Sequence, residues 1–137
     1  MEKKLYGLTK GTELEKMITA AANAEANGTK QYYALARMAR EQQLPEEVSN
    51  TLEQMADQES NHAGFYAMLN GTYPEDIYGI MEKAAKGEYA AEKVLAPLAE
   101  ALRALGSEEG AKQVEEFIRQ EIHHGELLEL LIKKYRK

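Results

Sequence analysis

Asp57-Gln58-Glu59-Ser60-Asn61-His62-Ala63 is the stretch on which the reading of this chain turns. Its Glu-x-x-His core returns as Glu121-Ile122-His123-His124, and a lone glutamate, Glu25 or Glu88, precedes each copy. Glu25 to Glu59 spans 34 positions and Glu88 to Glu121 spans 33, so one helical hairpin is written twice. A Glu and a His three apart on a helix project from one face, and carboxylate with imidazole is a ligand set for iron, manganese or zinc. The assignment requires all six residues to face inward.

Working outward, the hydrophobic period predicts four helices. Thr12 with Glu15 three residues later reads as a capping box opening the first. Its inward seam runs Leu14, Ile18, Ala21, Glu25, Gly28, Tyr32, Leu35, Ala39, an unbroken alternation of four and three with Glu25 as its one carboxylate. Leu44-Pro45 ends this helix and begins the second, whose seam is Val48, Leu52, Met55, Glu59, His62, Tyr66, Leu69. Asn70-Gly71-Thr72-Tyr73-Pro74 breaks the chain in the middle. The third seam is Ile77, Met81, Ala84, Glu88, Ala91, Leu95, Leu98, Leu102, Leu105, with Pro97 expected to kink the helix beyond Glu88. Gly106-Ser107 closes that helix and caps the fourth, whose seam is Val114, Phe117, Glu121, His124, Leu128, Leu131, Tyr135. The expectation is one all-α domain over 1–137, built from hairpins at about 12–70 and 74–136.

Tyrosines aside, the strongly polar seam residues are Glu25, Glu59, His62, Glu88, Glu121 and His124; no Lys, Arg or Asp joins them. Four carboxylates in an apolar interior cost several kcal/mol each unless protonated or paired. Two divalent cations with two neutral imidazoles would balance them, which points to a dinuclear site. The bland alternative is a protonated, hydrogen-bonded Glu/His network, which must satisfy itself internally. His123 lies off the seam and reads as a surface histidine, while Met55, Met68 and Met81 read as gap-fillers in the core. Three histidines are too few for a haemerythrin-type site.

Bulk properties narrow the class. A net charge of −6 with both signs scattered argues against nucleic acid and anionic membrane as partners. Zero cysteines exclude a disulfide, an iron–sulfur cluster and a four-cysteine iron site, so electrons for any redox chemistry must come from elsewhere. The opening MEKKLYGLTKGTELEK carries no apolar signal run, and no stretch approaches about 18 apolar residues, which leads to a cytoplasmic expectation.

From about Ala21 onward the chain resembles the rubrerythrin-like branch of the ferritin-like superfamily. Glu25 with Tyr32, the Asp57 to Ala63 stretch, and Gly87-Glu88 ahead of Glu121 and His124 carry the likeness. The resemblance implies a ferritin-like four-helix bundle with two iron ions, manganese or a mixed pair being compatible with the same donors. It also implies that Glu59 and Glu121 bridge the metals, that Glu25 and Glu88 are terminal ligands, and that His62 and His124 each cap one metal. Tyr32 would be a hydrogen-bond partner to the ligands or a radical relay, or else an ordinary core aromatic. The implied reaction is reduction of H2O2 or O2 by two Fe(II) ions, with an external donor such as a rubredoxin-like protein.

Two departures stand out. Peroxide-reducing relatives carry a further glutamate where this chain has Ala91, and a tyrosine often found just before the helix proline is here Ala96. Both favour ferroxidase or oxygen-reducing chemistry over peroxidase, and a non-enzymatic metal-stabilised dimer module is the third reading. In a ferritin-like bundle the second and third helices run parallel, which asks the connector to cover about 30 Å where Asn70 to Tyr73 reaches about 14 Å. Either the third helix starts late, or a homodimer exchanges hairpins to complete its sites.

Overall fold

The computed structural model describes residues 2–137 and contains, among them, four α-helices: α1 (Glu15–Glu41), α2 (Glu46–Leu69), α3 (Ile77–Ala104) and α4 (Glu108–Tyr135). Helix α1 packs on α2 and α3 packs on α4, giving two compact units that divide between Glu75 and Asp76. The architecture is all-α and ferritin-like in its helix content and pairing.

Each hairpin closes on small side chains. Ala36 and Ala39 of α1 meet a second helix whose buried residues are Ser49, Ala56 and Leu69. In the other hairpin Ala99, Ala111 and Val114 form the buried cluster, with Leu95 and Leu102 packed against it. Alanine lets two helix backbones approach closely, so residues projecting from the two seams can meet.

The turns are made by local chemistry. At the end of α1, Leu44 N–H donates to Ala39 O at 3.0 Å and Gln43 N–H to Arg40 O at 3.0 Å, with Gln43 left-handed at φ 58°. These are the two bonds that satisfy a helix's last carbonyls, made here around a glutamine instead of the usual glycine. Ser107 caps α4 by accepting from Gly110 N–H at 2.9 Å, as the sequence predicts. Arg103 ties this turn together, donating to Glu100, Glu108 and Glu115. Asp76 caps α3 through Gly79 N–H, so α3 starts at Ile77, later than the boundary expected at Pro74. The capping box at Thr12 is also displaced: the helix begins at Glu15 with Leu14 as its cap, and Glu15 accepts from Gly11 N–H, not from Thr12. Pro97 lies inside a continuous α3.

The residues ahead of α1 are more than a leader. Gly7 N–H donates to Met68 O and Thr9 N–H to Leu69 O, each at 3.0 Å, while Tyr6 Oη donates to Tyr73 O at 2.8 Å. Gly71 adopts a left-handed φ of 55° beside the Gly7 backbone, a conformation that favours glycine. Buried Asn70 joins three segments: it accepts from Thr9 Oγ1 at 2.6 Å and donates to Glu15 O and Thr19 Oγ1 at 3.0 Å.

Replacing Asn70 with Ala leaves those partners without their bonds inside the protein. The substitution should lower unfolding free energy by about 1–3 kcal/mol in urea denaturation. An unchanged midpoint would show that the Asn70 junction contributes nothing to stability.

Candidate metal centre

The i, i+3 spacing within α2 sets Glu59 and His62 on one face, and packing against α1 brings Glu25 to them. Glu25, Glu59 and His62 offer ligand atoms that all lie within 4.8 Å of one another. His62 Nδ1 stands 3.4 Å from Glu25 Oε2 and 4.0 Å from Glu59 Oε2. In the second hairpin Glu88 of α3 joins Glu121 and His124 of α4 in a cluster of the same dimension, with His124 Nδ1 3.7 Å from Glu88 Oε2. Each hairpin therefore brings its three residues together, but both histidines are exposed and do not face inward as the sequence reading required.

The environments match closely. Glu25 and Glu88 side chains are 24% and 25% exposed, and His62 and His124 are 54% and 53% exposed, so the repeated sequence has built a repeated site. Each triad offers oxygen and imidazole donors with a formal charge of −2 when its histidine is neutral, which suits one divalent cation of the iron, manganese or zinc kind.

Two features of the second triad fit a cation. Glu88 Oε2 is buried and has no hydrogen-bond partner, a costly position for a carboxylate oxygen that a metal would relieve. The Glu121 carboxyl is held above its ordinary range by its hydrogen bond with Glu88, by burial and by the Glu88 charge, against the opposing pull of His124. A cation bound there would offset the Glu88 charge that helps to raise the Glu121 pKa.

The tyrosines on and beside the seams differ in their contacts. Tyr32 is half-buried on the α1 seam, whereas its neighbour Tyr33 donates to Asp57, and that bond is the first cause of a raised Tyr33 pKa. Tyr89, beside Glu88, lies against Gly125, where a Cβ would meet its ring at 2.8 Å. Burial and then a hydrogen bond with Glu129 raise the Tyr89 pKa. His123 is exposed and faces Glu126 at 3.7 Å, as a surface histidine should. Tyr33, Tyr89 and Gly125 carried no signal in the seam pattern because they lie one position off it.

A protein-family model described as Rubrerythrin matches residues 16–78. An uncharacterized protein of Methanocaldococcus jannaschii is 34% identical over 131 residues, covering 96% of this chain and 92% of that protein. No solved structure matches the chain. Among the described residues no helix is long and apolar enough to cross a membrane.

The raised Glu121 pKa carries a sign. The folded apoprotein holds this proton to higher pH than the unfolded chain does, so the associated stability is full below the ordinary carboxyl range and falls as pH rises through the raised value. Thermal melts of the apoprotein should therefore decline over that interval, and Glu121→Gln should flatten the decline. An equal slope in the variant would remove Glu121 as its source.

Proposed function

The chain belongs to the rubrerythrin family, and from that premise we propose that it is a non-haem di-iron oxidoreductase reducing hydrogen peroxide or O2 with oxidation of Fe(II). The observation that carries this reading is the pair of matched Glu–Glu–His triads, one of which has an orphaned buried carboxylate oxygen. Glu25, Glu59 and His62 would hold one metal and Glu88, Glu121 and His124 the other, with Glu59 and Glu121 as the shared carboxylates. Two ferrous ions bound there would supply the two electrons that, with two protons, convert H2O2 to two waters.

The chain's own groups have three tasks. The four carboxylates offset the metal charge and orient the donors. His62 and His124 provide neutral nitrogens, each on the carboxylate-bearing face of its helix. Glu121, whose pKa is raised first by its hydrogen bond with Glu88, must be deprotonated to bind a cation, so metal uptake should strengthen as pH rises. Tyr32 is assigned as a nearby hydrogen-bonding or electron-relay group, with Glu25, Glu59, Glu88 and Glu121 as the acting carboxylates. Manganese or a mixed manganese–iron pair suits the same donors. With no cysteine in the chain, the reductant is an external donor such as a rubredoxin-like protein, and the cytoplasm is its proposed location.

Ala91 favours a second reading. It stands where peroxide-reducing relatives have a further carboxylate, so ferroxidase or iron-handling chemistry shares every ligand and uses Fe(II) itself as donor. A non-enzymatic, metal-stabilised helical module would bind metal without oxidising it.

We further propose a homodimer whose chains exchange hairpins to complete two sites. In a ferritin-like bundle α2 and α3 run parallel, which requires a long crossover. From His62 to Leu69 is about 10 Å and from Ile77 to Glu88 about 16 Å along the helices, at about 1.5 Å per residue. Residues 70–72 fold back on α2, through Gly71 N–H to Met68 O and Thr72 N–H to Ala67 O. What remains, from Thr72 to Ile77, reaches at most about 17 Å. Leu14, Val48 and Met55 of the first hairpin, and Leu98, Leu105 and Leu131 of the second, remain exposed apolar groups suited to a partner chain.

Anaerobic protein loaded with Fe(II) should bind about two ions per chain. It should develop near-ultraviolet Fe(III) absorption faster with stoichiometric H2O2 than with O2. The reverse order would favour the ferroxidase reading, and Glu59→Ala should lower metal affinity at least about 10-fold. Absence of metal uptake in the unaltered protein would sink both. Light scattering at micromolar concentration should give twice the 15.4 kDa chain mass, and a metal-bound monomer would rule out the exchanged dimer.

A further inference from the structure

Helix α1 contains a glycine in its interior at Gly28, one turn beyond Glu25. A helical glycine is about 1 kcal/mol less favourable than alanine, and Gly28 is not among the glycines with a left-handed backbone that would justify it. Its neighbourhood offers a different reason. A Cβ built at Gly28 would lie 3.4 Å from Glu59 Cδ and 3.6 Å from each of the two Glu59 carboxylate oxygens. The carboxylate therefore lies flat across the space where a side chain would project, with all three of its atoms nearly equidistant.

Other helical glycines set the contrast. Gly64 and Gly87 have nothing within 4 Å of a built Cβ, so their neighbours do not demand glycine. In the second hairpin the position three residues after the upstream glutamate is Ala91, which does carry a Cβ. The two triads have the same residue types and similar exposures, and the residues three positions past their upstream glutamates are Gly28 and Ala91.

We propose that Gly28 is a positioning residue for Glu59: its bare backbone reserves the space against α1 into which the Glu59 carboxylate can shift. A methyl group at position 28 would fit the carboxylate's present position at van der Waals distance and close the space behind it. The carboxylate would then be restricted in the angle and denticity it can offer a cation. This inference rests on the metal-binding reading.

The test compares Gly28→Ala with Gly64→Ala as an open-space control, using Co(II) as the probe in the full chain. Both variants should raise the apoprotein melting temperature by about 2–5 °C, since alanine is the better helix former. Only Gly28→Ala should weaken the tighter or looser of the two Co(II) binding steps, by about 10-fold, and change the visible absorption of the Co(II) bound in that step. The opposed directions of apoprotein stability and metal affinity separate this role from a purely structural one. Unchanged Co(II) affinity and spectrum in Gly28→Ala, with uptake by the unaltered protein intact, would overturn the role of Gly28 alone. Equal losses in both variants would overturn it too, by tracing the effect to helix stiffening. No Co(II) uptake by the unaltered protein would overturn the metal-binding reading, and this inference with it.

Discussion

Carboxylates placed on apolar helix seams are the constraint on which this structure depends. Each hairpin puts two glutamates and one histidine together on one face, with the Glu25, Glu59 and Glu88 side chains about a quarter exposed, and gathering carboxylates partly out of water is unfavourable unless a positive charge joins them. In the second hairpin the Glu121 pKa is raised, first by its hydrogen bond with Glu88, and Glu88 Oε2 is buried without a hydrogen-bond partner. A divalent cation is the group that meets both needs at once. Small residues make the answer geometrically available, since Ala36, Ala39 and Ala56 in one hairpin and Ala99 and Ala111 in the other allow the helix backbones to come close.

The duplicated hairpin conserves its chemistry more strictly than its supports. The ligand-bearing faces have nearly equal exposure, yet the helices around them begin and end by different means. Helices α3 and α4 are capped by Asp76 and Ser107, whereas α1 starts after a run of turns held to the end of α2. Tyr33 meets Asp57 in the first hairpin, while Tyr89 packs on Gly125 in the second. Beside the ligands themselves, Gly28 faces the Glu59 carboxylate where its counterpart is Ala91. Two similar donor sets held in unlike surroundings need not respond alike to a change in metal charge.

The strap of residues ahead of α1 bears on assembly. By hydrogen-bonding to Met68, Leu69 and Tyr73, with Lys4 paired to Glu75 at 3.1 Å, it fastens the connector to the first hairpin almost as far as the start of α3. Rigidity at this point shortens the usable crossover more than residue number suggests. The same segment places Asn70 in a buried junction, so the connector belongs structurally to the hairpin it leaves.

The two Glu–Glu–His clusters, the four helices and the pairing of α1 with α2 and α3 with α4 were legible in the sequence. They follow from the period of an α-helix and from short turns, and both are properties of neighbours along the chain. Tertiary structure alone decided the rest. The start of α3 moved to Ile77 because Asp76, not the region of Pro74, supplies the cap; the strap formed because carbonyls of α2 accept from Gly7 and Thr9. Tyr33 met Asp57, the Glu121 pKa rose beside Glu88, and Gly28 came to lie beneath Glu59. Each of these depends on the distance between groups far apart in sequence. Helical periodicity states which residues share a face, but only packing fixes which atoms meet across it.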